Sequence, residues 1–191
     1  YLILLYDVGV LRSKTLLQAS MHRTSNPLTL VSLYRKIKKR ERLDGKMKIC
    51  GFQKTTLLDY PGHVAATIFL GLCNFRCPFC HNAELLTEDA EEQCTMDEVL
   101  DVLKRRASLL EGVCITGGEP TLSPDLEILI RRIRELGLLV KLDTNGYRPD
   151  VVKRLCSEGL LDYIAMDIKS SPENYGMVAG APNINTDTIS E

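Results

Sequence analysis

Three cysteines, Cys73, Cys77 and Cys80, crowd into the run CNFRCPFCHN. Thiolates are soft ligands that select iron-sulfur clusters or zinc. A structural zinc ion wants four closed ligands, usually as two separated pairs, and the chain holds no second CxxC. His81 follows Cys80 directly, and adjacent residues rarely reach one tetrahedral ion together. An ordinary electron-transfer cluster takes four cysteines. Three thiolates on a four-iron cube would leave one iron without a protein ligand, and an open metal position is where a small molecule can be bound and activated. The run alone leaves a site-differentiated 4Fe-4S cluster, a zinc site and idle thiols as readings; the rest of the chain favours the cluster.

Other segments could share that chemistry. In Gly117-Gly118-Glu119-Pro120 the glycines let the backbone approach a ligand closely, Glu119 can accept from an ammonium group, and Pro120 stiffens the turn. Taken alone, this segment and Asp143-Thr144-Asn145-Gly146 read as polar turns. Yet Asp143, Asp167 and Lys169, converging on one edge of a sheet, can hold a cation or the polar ends of a small molecule.

The elements that would bring them together follow from periodicity. From Met47 onward short β-branched runs alternate with amphipathic runs, the pattern of parallel strands joined by crossover helices, so the class is α/β. Strands are predicted at 64–70, 113–116, 138–142 and 161–168. Thr95 to Glu98 has capping-box spacing and opens a helix to about 110, Ser123-Pro124-Asp125 starts another that Gly137 closes, and a third covers 150–158. After Pro172 the chain is irregular. Each chemical segment follows a strand at its carboxyl end, where the loops of a parallel sheet emerge together.

The 191 residues suffice for one domain, and 45% hydrophobic with 26% charged residues is a normal globular balance. No apolar run approaches the roughly 18 residues of a membrane helix. The net charge of −1 hides an asymmetry: residues 1–46 carry +7 and residues 47–191 carry −8. The basic stretch starts at Tyr1 and contains LYRKIKKRER. It reads as a solvated extension, or upstream sequence outside the natural domain, in preference to a nucleic-acid or membrane arm. Met47 is a natural start for the second part, 47–191. The opening YLILLY meets Asp7 at once and makes a poor signal peptide. Seven cysteines, an odd number without an export signal, point to a reducing cytoplasm. Cys50, Cys94, Cys114 and Cys156 read as small hydrophobes or idle thiols.

These motifs resemble those of radical S-adenosylmethionine (radical SAM) enzymes. CNFRCPFC carries their CxxxCxxC signature, with the aromatic Phe79 before the last cysteine, and TGGEP resembles their methionine-binding segment. The stretch 51–82, GFQKTTLLDYPGHVAATIFLGLCNFRCPFCHN, is similar to activating enzymes of glycyl radical enzymes. It is nearest to anaerobic ribonucleoside-triphosphate reductase activating proteins and related to pyruvate formate-lyase activases. The resemblance covers about 47–169 and implies a partial (β/α)6 barrel, here of about four βα units with the last third missing. It implies a 4Fe-4S cluster on Cys73, Cys77 and Cys80, with S-adenosylmethionine on the open iron. Phe79 would belong to the cofactor site, and Gly117, Gly118, Glu119 and Pro120 would meet the methionine amino group. Asp143, Thr144 and Asp167 would surround a monovalent cation, Lys169 would contact the cofactor, and Asp59 and His81 would lie beside the glycine-bearing peptide as catalytic residues. The implied activity is reductive cleavage of S-adenosylmethionine to methionine and a 5'-deoxyadenosyl radical, which takes hydrogen from a glycine of an anaerobic ribonucleotide reductase. The implied electron donor is reduced flavodoxin or ferredoxin, with no nucleic-acid or membrane partner. A pyruvate formate-lyase type activase, another small radical SAM enzyme with a diffusible substrate, and a zinc-stabilised interaction module are the alternatives.

Overall fold

The computed structural model describes residues 2–7 and 47–190; the rest of the basic stretch lies outside the described residues. The strands are β1 (Leu2–Asp7), β2 (Ile49–Thr56), β3 (Ala65–Leu70), β4 (Gly112–Gly117), β5 (Leu139–Thr144) and β6 (Tyr163–Ile168). They form one sheet in the order β1-β6-β5-β4-β3-β2. The four predicted strands are β3 to β6, parallel throughout. An antiparallel strand is added at each edge, β2 on β3 and β1 on β6, so the four-strand reading is two short. In β2, register shifts between Ile49 and Gly51 and between Gln53 and Thr56 break the two-residue alternation by which a strand is read. The run LILLYD of β1 pairs with a strand more than 150 residues away, a partnership that no local pattern reveals.

Helices α1 (Met96–Arg106), α2 (Leu126–Glu135) and α3 (Pro149–Ser157) follow β3, β4 and β5, with short turns α4 (Tyr175–Val178) and α5 (Asp187–Ser190) after β6. The predicted capping box opens α1: Glu98 N–H donates to Thr95 Oγ1 (3.3 Å) and Thr95 N–H to Glu98 Oε2 (2.8 Å). The α2 start differs from expectation. Ser123 and Pro124 form a preceding turn, Leu126 N–H donating to Ser123 O (3.3 Å), and the helix begins three residues later without a side-chain cap.

Strand alternation splits the sheet into two unlike faces. Ala66, Ile68, Leu70, Val113, Ile115, Val140, Leu142 and Ile164 pack with Leu103, Leu129, Ile133 and Leu155 of the helices. Each large aliphatic buried there contributes about 1.5–3 kcal/mol. The other face carries Thr67, Cys114, Thr116, Lys141, Asp143, Ala165 and Asp167, and its residues ascend toward the carboxyl edge. Among the described residues no helix is long and apolar enough to cross a membrane.

Candidate functional site

The cysteine loop leaves β3 and is held by backbone bonds. Leu72 N–H donates to Leu85 O (2.8 Å) and Cys73 N–H to Leu86 O (3.3 Å). The turn after β4 tucks beneath it, Gly118 N–H donating to Leu70 O (2.8 Å) and Glu119 N–H to Leu72 O (2.7 Å). A Cβ on Gly118 would lie 2.0 Å from Leu72 O, and one on Gly117, at φ +117°, would lie 2.3 Å from Leu70 O. The two glycines are thus demanded by the approach of the cysteine loop's own backbone, and both also line the cavity where the sequence reading expects a ligand.

A cavity of about 360 Å³ opens at this carboxyl edge. Its wall takes Cys73, Cys77, Phe79, Cys80 and His81 from the loop after β3, and Gly117 and Gly118 from the end of β4 and the turn after it. Asp143 and Thr144 join from β5, Asp167 and Lys169 from the end of β6. His81 is exposed at the rim, and Phe79 is 36% exposed.

Three expected site residues lie elsewhere. Glu119 is 1% exposed and forms no part of the wall. Its Oε1 accepts from Thr121 N–H (3.0 Å), Thr121 Oγ1 and Thr144 Oγ1 (2.8 Å), and its Oε2 from Asn145 N–H (2.6 Å). The carboxylate ties the β4 turn to the β5 turn. Pro120 is buried in the same 3-10 turn. Asp59 sits in the connection that enters β3 from its amino end and accepts from Thr67 Oγ1.

Asn82 and Asn145 line the cavity although the sequence reading does not single them out. Asn82 Nδ2 donates to Gly117 O (3.3 Å) and Asn145 Nδ2 to Asn74 Oδ1 (2.9 Å), so amide side chains lace the loops together. Their place inside CHN and DTNG is the signal that could have found them. Behind the loop, Tyr175 packs its ring on Phe75 (centroids 6.3 Å apart) and donates to Asp167 O (3.5 Å).

Burial pushes the Cys73 thiol up to about 11, the Phe75 N–H opposing and Glu119 and the neighbouring thiols adding. Burial raises Cys77 too, against the pull of Lys169. Burial thus favours the protonated thiol at both positions, and a bound metal must expel those protons. Desolvation acts to lower the Lys141 ammonium, but Asp143 and Cys114 outweigh it and hold it above the ordinary value.

The sequence pattern of the Radical SAM superfamily matches residues 67–190, from β3 through every cavity loop. The chain belongs to the radical SAM superfamily. A protein of Methanocaldococcus jannaschii named as a glycyl-radical enzyme activating enzyme is 37% identical to this radical SAM chain over 131 residues, 68% of the chain and 53% of the relative. The pyruvate formate-lyase-activating enzyme of Clostridium pasteurianum is 27% identical over 139 residues, 70% of the chain and 57% of the relative. The 7-carboxy-7-deazaguanine synthase of Hyperthermus butylicus is 35% identical over 91 residues, 47% of the chain and 38% of the relative. The chain spans about half the length of the first of these.

Radical SAM membership implies a 4Fe-4S cluster and S-adenosylmethionine, and the donor set fits. Three thiols share one wall, which matches the three-cysteine donor set that leaves one iron of a four-iron cube without a protein ligand. Cys114 is engaged with Asp143 and Lys141 and does not line the cavity, so the wall offers three thiols.

Proposed function

We propose that this chain is the catalytic core of a glycyl-radical enzyme activating protein, and that its protein substrate is an anaerobic ribonucleoside-triphosphate reductase. The observation that carries the reading is the gathering of three thiols, two carboxylates and Lys169 in one cavity. Its catalytic scheme accords with the similarity to activating enzymes reported above. Cys73, Cys77 and Cys80 would hold the cluster. When bound, the cluster and S-adenosylmethionine together supply, on one-electron reduction by flavodoxin or ferredoxin, methionine and a carbon radical able to take a hydrogen atom.

The chain's own residues do the rest. Asp143, Asp167 and Lys169 would present charges of both signs to the ammonium and carboxylate of the methionine moiety. Thr144 adds no free donor, since its hydroxyl donates to Glu119; its part is to keep the β5 turn in place. Phe79 and His81 flank the mouth, where a glycine-bearing peptide would enter and cover the exposed Phe79 ring. Asp59, which accepts from Thr67 Oγ1 in the middle of β3, would act through the fold.

The test is anaerobic reconstitution with iron and sulfide, reduction, and addition of S-adenosylmethionine and the reductase. A glycyl radical seen by electron paramagnetic resonance is the expected result. Deoxyadenosine without that signal favours a diffusible substrate, the reading supported by the deazaguanine synthase similarity. Stoichiometric zinc in place of iron and sulfide overturns both. Cys77→Ala is expected to abolish cofactor cleavage.

A further inference from the structure

Both aspartates expected to surround a cation already face an ammonium group. Lys169 Nζ lies 2.6 Å from Asp167 Oδ2, and Lys141 Nζ is ion-paired with Asp143 Oδ1. The two lysines are placed differently. Lys169 lines the cavity, where an incoming molecule meets it. Lys141 lies behind Asp143, in the row that Thr67, Cys114, Lys141 and Tyr163 form across β3 to β6.

From that position Lys141 is locked. Its side chain is 7% exposed. Its ammonium donates to Cys114 Sγ (3.6 Å), and the Cys114 thiol donates to Asp143 Oδ2 (3.4 Å). Both Asp143 oxygens are therefore engaged from beneath, one by a full positive charge. Each carboxylate oxygen keeps a further lone pair, but a free monovalent ion using it would sit beside a tethered charge of the same sign that already balances Asp143. An ion that took over that balance would leave the buried ammonium with the Cys114 sulfur in place of a carboxylate. A tethered partner also competes at a high effective concentration, which a dissolved ion does not.

We propose that Lys141 is the permanent counter-cation of the cofactor site and takes the place of a free monovalent ion at Asp143. The inference rests on the cofactor reading of the cavity and deepens it: cofactor binding in this protein needs no inorganic monovalent cation. Asp143 then offers the cofactor one charge already balanced from below, and Asp167 with Lys169 forms the adjustable pair above.

The experiment uses the full chain at constant ionic strength in sodium, potassium or tetramethylammonium chloride. One arm measures S-adenosylmethionine affinity of the cluster-loaded protein by calorimetry. The other titrates cluster-free protein with thallium(I) by thallium-205 resonance. The wild type is expected to bind S-adenosylmethionine within about twofold in all three salts and to show no specific thallium site. Lys141→Met is expected to bind about tenfold more weakly in tetramethylammonium, to recover in sodium or potassium, and to gain a thallium site. Lys141→Arg, which keeps the charge, should remain indifferent to the salt.

A wild-type affinity that rises about tenfold with sodium or potassium overturns the proposal. So does a thallium site in the wild type, or Lys141→Met that binds normally without any small cation. Should Lys141→Met fail to fold, the two wild-type measurements decide alone. If S-adenosylmethionine binds in no salt, the cofactor reading fails, and the thallium titration still answers whether Lys141 fills the cation position.

Discussion

Replacing Glu119 by Gln tests whether the third residue of GGEP serves the fold or the ligand. In the structure its carboxylate is 1% exposed and accepts four hydrogen bonds, from Thr121 N–H and Oγ1, Thr144 Oγ1 and Asn145 N–H. A glutamine can point its carbonyl at Thr121 and Thr144, but its NH2 then meets the Asn145 N–H, donor against donor. One buried donor left without an acceptor costs about 1–3 kcal/mol, and the surviving bonds lose their charge assistance. Together these give about 2–4 kcal/mol, which for a chain of this size lowers the melting temperature by about 5–15 °C. The assays are thermal melts of cluster-free protein and amide hydrogen exchange at Asn145, whose protection should fall sharply. The two-loop tie is refuted if Glu119→Gln melts like wild type with a protected Asn145 amide while S-adenosylmethionine binding is lost. That pattern would mean that Glu119 turns to the ligand.

The turn after α4 presses its backbone on the cysteine loop: Gly180 has φ +61°, and a Cβ there would lie 2.2 Å from Arg76 O. Gly180→Ala should therefore cost about 1–3 kcal/mol in urea unfolding and reduce the iron retained after reconstitution; an unchanged midpoint would contradict the packing. Cys73, pushed up to about 11 by burial, holds only about a thousandth of its thiol as thiolate at pH 8, against roughly a quarter for an unfolded cysteine. Iodoacetamide should modify it about 200-fold more slowly in native cluster-free protein than in urea, with a rate rising about tenfold per pH unit from 8 to 10. Mass spectrometry reads this out, and a rate flat with pH would show that access, not ionisation, controls it.

Motifs placed at strand ends were legible because each depends on a short stretch of chain. The alternation at β3 to β6 sets the parallel sheet, and the carboxyl-edge rule gathers Cys73, Gly117, Asp143 and Lys169 without knowledge of any side-chain contact. What Glu119 does was not legible, since an acidic residue after two glycines looks the same whether its acceptors face an ammonium ligand or the Asn145 N–H. Where Asp59 sits was not legible for a similar reason: it belongs to a recognisable segment, yet that segment enters β3 at its amino end and Asp59 accepts from Thr67 Oγ1. The strand β2 hid behind its bulges.

By itself the chain of residues determined the class of fold, the thiol chemistry and the edge of the sheet where the site forms, because periodicity and spacing are local properties. Only the tertiary structure decided which charges are already spent on one another. That Asp143 is balanced by Lys141 and Cys114, and Glu119 by two loops, follows from neighbours on different strands, and the low dielectric of a buried face gives such pairings their weight.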